Sequence, residues 1–130
     1  MNDLHIPPSN ETPEVDFRFS EHKLVIRGES YPENALSFYA PIRNSLQDYL
    51  ASLGPGDKVT VAIALRYFNS SSTKLIRALV AMLNAAALAG KQVVLDWHHD
   101  EDDDMMLEFG LDLHEEHSAL KYNAVATATS

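Results

Sequence analysis

Cysteine is absent from the 130 residues, which removes disulfides, thiol catalysis and thiolate zinc sites together. Basic side chains are scarce as well. Ten Lys and Arg stand against 19 Asp and Glu, a formal charge of −9, and such a surface repels nucleic-acid phosphates at long range. No apolar run reaches the length of a membrane span, and none near the N-terminus has the basic and apolar regions of a signal peptide. Neither a glycine-rich phosphate loop nor a Gly-x-Ser-x-Gly elbow is present, so nucleotide hydrolysis and a strained serine nucleophile lack their usual scaffolds. The composition fits one domain of ordinary size that buries a core without metal or cross-link. It is expected in the cytoplasm, with a protein or small-molecule partner.

What is present centres on residues 59–84. An apolar β-type run passes through Asn69, Ser70, Ser71, Ser72 and Thr73 into a long helical pattern, which reads as strand, tight turn and helix. The hydroxyls then stand at a helix N-terminus, where unpaired N–H groups and the macrodipole favour an anion. Leu75, Ile76, Leu79, Val80 and Leu83 define the buried face, so Ser72 is expected inside, with Ser71 and Thr73 at the margins. Ser70 falls outside, four residues before Lys74 and seven before Arg77. Asn69 or Ser70 can also serve simply as the cap. On this reading a partner would meet a small hydroxyl, two cations and an alanine strip, not a bulky apolar patch.

Elsewhere the pattern is that of an α/β domain. Residues 1–13, with Pro7, Pro8 and Pro13, are expected to form an extended arm over a domain at 14–126, with a tail at 127–130. Val15, Phe17 and Phe19 alternate with polar residues before a second run at 24–28, a hairpin pattern. A helix begins near Pro32 or Asn34; Pro41 predicts either a kink or a start nearer Ala40. Strands follow at 58–68, 91–97 and 122–126, separated by helices to about Ala89 and from about Asp100 onward. Gly90 stands where a C-terminal cap belongs. The near-continuous apolar run 61–65 predicts burial on both faces of a central strand. The order β-β-α-β-α-β-α-β requires parallel neighbours joined by right-handed crossovers. It predicts a mixed, mostly parallel sheet with an N-terminal antiparallel hairpin and helices mainly on one face.

A second constellation is His98-His-Asp-Glu-Asp-Asp-Asp104. His98, Asp100 and Asp102 are candidate ligands for a divalent ion. The spacing lacks the alternation and glycine of an EF-hand loop, and acidic residues suit the first turn of a helix without any ion. No metal or cofactor is therefore expected. Ser70 with His98 and Asp96 or Asp100 is the remaining nucleophile arrangement, but a serine among serines is unlike a strained nucleophile, and an enzyme is not expected.

Three stretches, Gly28-Glu-Ser-Tyr-Pro-Glu-Asn34, Tyr67-Phe-Asn-Ser-Ser-Ser72 with Lys74, and Asp96-Trp-His-His-Asp-Glu-Asp-Asp-Asp104 before Gly110, resemble the SiaC-type biofilm-regulation phosphoproteins of bacteria. The resemblance spans about His5 to Ala126 and implies a STAS-like fold, similar to anti-anti-sigma factors. It implies Ser70 as phosphoacceptor for a serine/threonine kinase, with Asn69, Ser71, Lys74 and Arg77 as its environment and partner-binding surface. A metal-dependent phosphatase would reverse the modification. The unphosphorylated form would bind and activate a diguanylate cyclase, the enzyme class that makes cyclic-di-GMP. The family usually carries Thr at the position of Ser70 and often Tyr at that of His99. The alternatives are a generic STAS-like interaction module with another partner, or a metal-binding protein using the 98–104 cluster.

Overall fold

The computed structural model of the chain describes residues 2–128. Strands β1 (Leu4–Ile6), β2 (Glu14–Arg18) and β3 (Lys23–Ser30) precede three helix–strand pairs. These are α1 (Ala35–Ser52) with β4 (Lys58–Phe68), α2 (Ser70–Leu88) with β5 (Gln92–Asp100), and α3 (Asp104–Glu116) with β6 (Lys121–Thr127). The six strands form one sheet in chain order. β1, β2 and β3 pair antiparallel, and β3 to β6 pair parallel through the three crossovers. The mixed α/β architecture expected from the element order is the one observed.

Because the order never reverses, crossovers of one hand deliver every helix to the same face. Tyr39, Ile42 and Leu46 of α1, Ile76, Leu79 and Leu83 of α2, and Leu113 of α3 close with Val61, Ile63, Leu95 and Trp97 into one core. Trp97 stacks on Phe109 and donates its indole N–H to the Met106 carbonyl at 2.9 Å. The other face has no helix. Burial of β4 therefore alternates: Val59, Val61, Ile63 and Leu65 are buried, whereas Thr60, Ala62 and Ala64 are half-buried. The expectation of burial on both faces is corrected here, since the alanines look apolar in sequence but stand on the open side of the sheet.

Within the N-terminal segment expected as an extended arm, Leu4–Ile6 is a strand that pairs with β2 and forms the sheet edge outside the β2–β3 hairpin. Leu4 and Ile6 pack against the core, which gives this short segment a reason to stay. Met1, and residues 129–130 of the expected tail, lie outside the described residues, and Thr127 ends β6. Pro41 sits inside α1, which starts at Ala35 with Asn34 accepting from the Ser37 N–H at 3.1 Å. The strand expected to end at 97 runs on to Asp100.

Candidate functional site

α1 and α2 both begin at the carboxyl end of the parallel strands, so their N-termini stand side by side. Asn69 caps α2: its side chain accepts from the Ser72 N–H at 2.9 Å, its carbonyl accepts from the Thr73 N–H at 3.0 Å, and its own N–H donates to the Ser30 carbonyl at 2.9 Å. The last bond ties the helix start to the end of β3. Beneath it, Ser72 Oγ lies 2.8 Å from Ser30 Oγ, which is 2.7 Å from the Tyr39 hydroxyl, and all three residues are buried. Burial pushes the Tyr39 hydroxyl above its ordinary pKa, opposed by the bond from Ser30, so the three groups form a neutral knot joining β3, α1 and α2.

Ser70 and Ser71 are the first two residues of α2, and both are exposed. Their N–H groups have no intrahelical acceptor, as the first turn of any helix requires. Lys74 is exposed one turn later and has no ion-pair partner among the described residues. Ser70, Ser71 and Lys74 line a groove of about 440 Å³ whose opposite wall is the start of α1, with Glu33, Asn34 and Leu36. That wall is distant in sequence and was not expected from the helical pattern of 70–84. Two helix N-termini thus direct partial positive charge into one groove.

Arg77 is not part of this constellation. Its guanidinium lies 3.1 Å from a Glu116 oxygen and 4.7 Å from the centroid of the Phe109 ring. Both contacts draw it toward α3, two turns above Ser70, because the carboxylate and aromatic face lie on that side. The surface also differs from the expected hydroxyl-and-alanine strip. Leu36 is 64% exposed, Tyr67 51% and Tyr31 37%, with the two tyrosine rings 5.9 Å apart. A bulky apolar rim therefore stands at the strand ends that lead into the two helices.

The 98–104 cluster lines one hollow, with His98, Asp100 and Asp102 on its wall, but among the described residues it gathers no metal-holding group. His98 projects from the open face beside Ala64 and Val125, its partners on neighbouring strands. It lines a separate hollow of about 800 Å³ that does not include Ser70, so no serine–histidine pair forms. Asp102 N–H donates to Asp100 Oδ1, and Asp103 caps α3 by accepting from the Met106 N–H. Asp104 lies in the first turn of α3. Among the described residues, no group of three or more His, Asp and Glu side chains could hold a metal ion, which corrects the candidacy of His98, Asp100 and Asp102. His99 is buried, and its Nδ1 is 3.0 Å from the Asp100 carbonyl oxygen.

A profile described as SiaC family regulatory phosphoprotein matches residues 6–127. The chain belongs to the SiaC family. The fold agrees with solved family members. Apo-SiaC from Pseudomonas aeruginosa superposes with a TM-score of 0.88 at 28% identity, covering 97% of this chain and 100% of that one. SiaC from the same organism, in complex with the diguanylate cyclase SiaD and described as its activator, superposes at 0.89 and 28%, with 96% and 100% covered. An uncharacterized protein of P. aeruginosa strain UCBPP-PA14 is 29% identical over 117 residues, 89% of this chain and 90% of that one. No helix among the described residues is long and apolar enough to cross a membrane.

Proposed function

We propose that this chain is a cytoplasmic phosphorylation switch whose unmodified form binds and activates a diguanylate cyclase, and that Ser70 is its phosphoacceptor. A serine/threonine kinase would install the phosphate and a metal-dependent phosphatase would remove it; the chain itself performs no chemistry. The observation carrying this reading is the position of Ser70: an exposed hydroxyl at the start of α2, held by the Asn69 cap, with an unpaired lysine one turn above. A phosphate there adds roughly −1.5 to −2 charge, which the first-turn N–H groups and Lys74 can receive without unfolding the helix. Ser72 is unsuited to the role because its hydroxyl is buried and hydrogen-bonded. The description of SiaC as activator of a cyclase supports the partner class.

Phosphate in a contact surface must be desolvated or must separate the partners, at a cost of about 2–5 kcal/mol for uncompensated interfacial charge. Mass spectrometry after kinase treatment is expected to place the modification on Ser70 and to find none on Ser70→Ala. In titrations with the cyclase, Ser70→Ala binds like the unmodified protein, while the phosphorylated protein binds roughly 30-fold to several thousand-fold more weakly. Stoichiometric modification of Ser70→Ala, or equal affinity of the two forms, refutes the reading.

A further inference from the structure

The two edges of the sheet are finished differently. β1 is three residues long and is followed by Pro7 and Pro8, devices that stop one sheet from growing onto another. β6 runs for seven residues in unbroken register with β5, and 122–127 contain no charge, proline or glycine. The Thr127 carbonyl accepts from the Glu101 N–H, so by the alternation of a strand the backbone groups of 121, 123, 125 and 127 face β5. Tyr122, Ala124 and Ala126 therefore direct their N–H and C=O groups outward, where the described residues supply no pairing strand. Above this edge stands an apolar strip of α3. Phe109 and Glu116 face α2 through Arg77, so Leu107, Leu111 and His114 occupy the opposite side, toward β6, where His114 stacks on Tyr122 at 4.9 Å. Leu111 is 45% exposed. Gly110 packs against Trp97 and Tyr122, which sets Leu111 level with Ala124, the residue paired to Trp97.

Both features match themselves under one twofold axis. We infer that β6 and α3 form the interface of a homodimer, in which β6 pairs antiparallel with β6 of a second copy about an axis through Ala124. Ala124 then meets Ala124 and Tyr122 meets Ala126, each outward N–H facing a carbonyl. The helix layer closes at the same spacing. α3 packs on β5 and β6, half a strand spacing inside the edge. Two such offsets plus the new strand pair come to roughly 10 Å at about 4.8 Å per strand, the distance at which helices pack. Leu111 thereby meets Leu111 above the small Ala124 pair. A peptide added to the edge would leave that leucine uncovered, whereas a second copy covers edge and strip together. On the open face Lys121 comes beside Thr127 of the second copy, which is paired to Asp100, so opposite charges approach in a chain whose net charge is −9. A strand pair about 23 Å long beneath a helix pair covers on the order of 500 Å² per copy, at the lower limit for a specific interface, so dissociation belongs in the micromolar range. Neither element lines the Ser70 groove, and the dimer stands or falls independently of the switch.

Sedimentation equilibrium of the full chain, from low micromolar to submillimolar concentration, is expected to show the mass rising from 14.5 kDa toward twice that value. Ala124→Pro removes an N–H that faces solvent in the single chain, a place where an edge strand accepts proline, and it blocks the pairing. Leu111→Lys, at an exposed position, sets like charges against each other at the axis. Each should raise the dissociation constant at least about tenfold, and Leu111→Lys should do so with the thermal melting of dilute wild-type protein. Amide exchange gives the reading by residue: protection of Tyr122, Ala124 and Ala126 should rise with concentration, while that of β1 should not. A monomer at every concentration, a dimer indifferent to Leu111→Lys, or concentration-dependent protection centred on β1 or on the Ser70 groove overturns the inference.

Discussion

Ser70 and Ser72 are two residues apart on one helix, and their surroundings divide the work between them. Ser72 holds the helix start to β3 and α1 through Ser30 and Tyr39. Ser72→Ala leaves Ser30 its bond to Tyr39, so the expected loss is about 1 kcal/mol, the net worth of one hydrogen bond. Exposed Ser71→Ala should stay within about 0.5 kcal/mol; urea titration distinguishes the two. A closer fit governs Gly110. A Cβ there would lie 2.3 Å from the Tyr122 hydroxyl oxygen and 2.5 Å from Trp97 Cδ1. Gly110→Ala is therefore expected to destabilise by about 1–3 kcal/mol through overpacking, although alanine favours helix by about 1 kcal/mol. The Tyr122 hydroxyl is buried with no hydrogen-bond partner among the described residues. Tyr122→Phe should be neutral or stabilising, and should partly rescue Gly110→Ala in thermal melts. The inward Ser72 and outward Ser70 were legible from helical spacing alone. The capture of Arg77 was not, because Glu116 lies 39 residues away and local periodicity carries no information about it.

Among elements, α2 was legible almost to the residue, since the cap, the apolar stripe and Gly90 at φ 99° all mark it locally. β1 was hidden because three residues cannot display an alternation, and Pro7, Pro8 and Pro13 just after it pointed to an extended arm. What fastens the N-terminal edge is a charge clasp across strands: Glu14 takes Arg27 Nε on one oxygen and His5 Nε2, at 2.9 Å, on the other. The bonds from Arg27 and then His5 hold the Glu14 carboxyl at about 2, below its ordinary 4.5. With the folded value depressed, the clasp contributes above pH 4.5 and is lost as pH falls toward 2. Carboxyl NMR titration should place the Glu14 midpoint near 2, and Arg27→Gln should move it upward. An unchanged midpoint would show that the clasp does not exist in solution.

At the scale of the molecule, the element order already led to helices mainly on one face, and only the run 61–65 pointed the other way, because Ala62 and Ala64 carry an apolar label without the bulk that demands a covering helix. The two helix starts that build the groove were likewise unconnected in sequence: Asn34 and Asn69 are each readable as caps, but only the parallel pairing of β3 with β4 places them side by side. Leu36 shows the same limit, since an apolar residue one turn into α1 is left by the fold on the groove wall.

Strand order that copies chain order also governs how the molecule can be made. Each strand pairs with the one synthesised just before it, so a chain leaving the ribosome never has to hold an edge open for a later insertion. β3, α1, β4 and α2 precede α3 and β6, and every residue of the Ser70 groove lies within 33–75. The walls of the groove are thus complete in the nascent chain before the last third of the sheet has been translated.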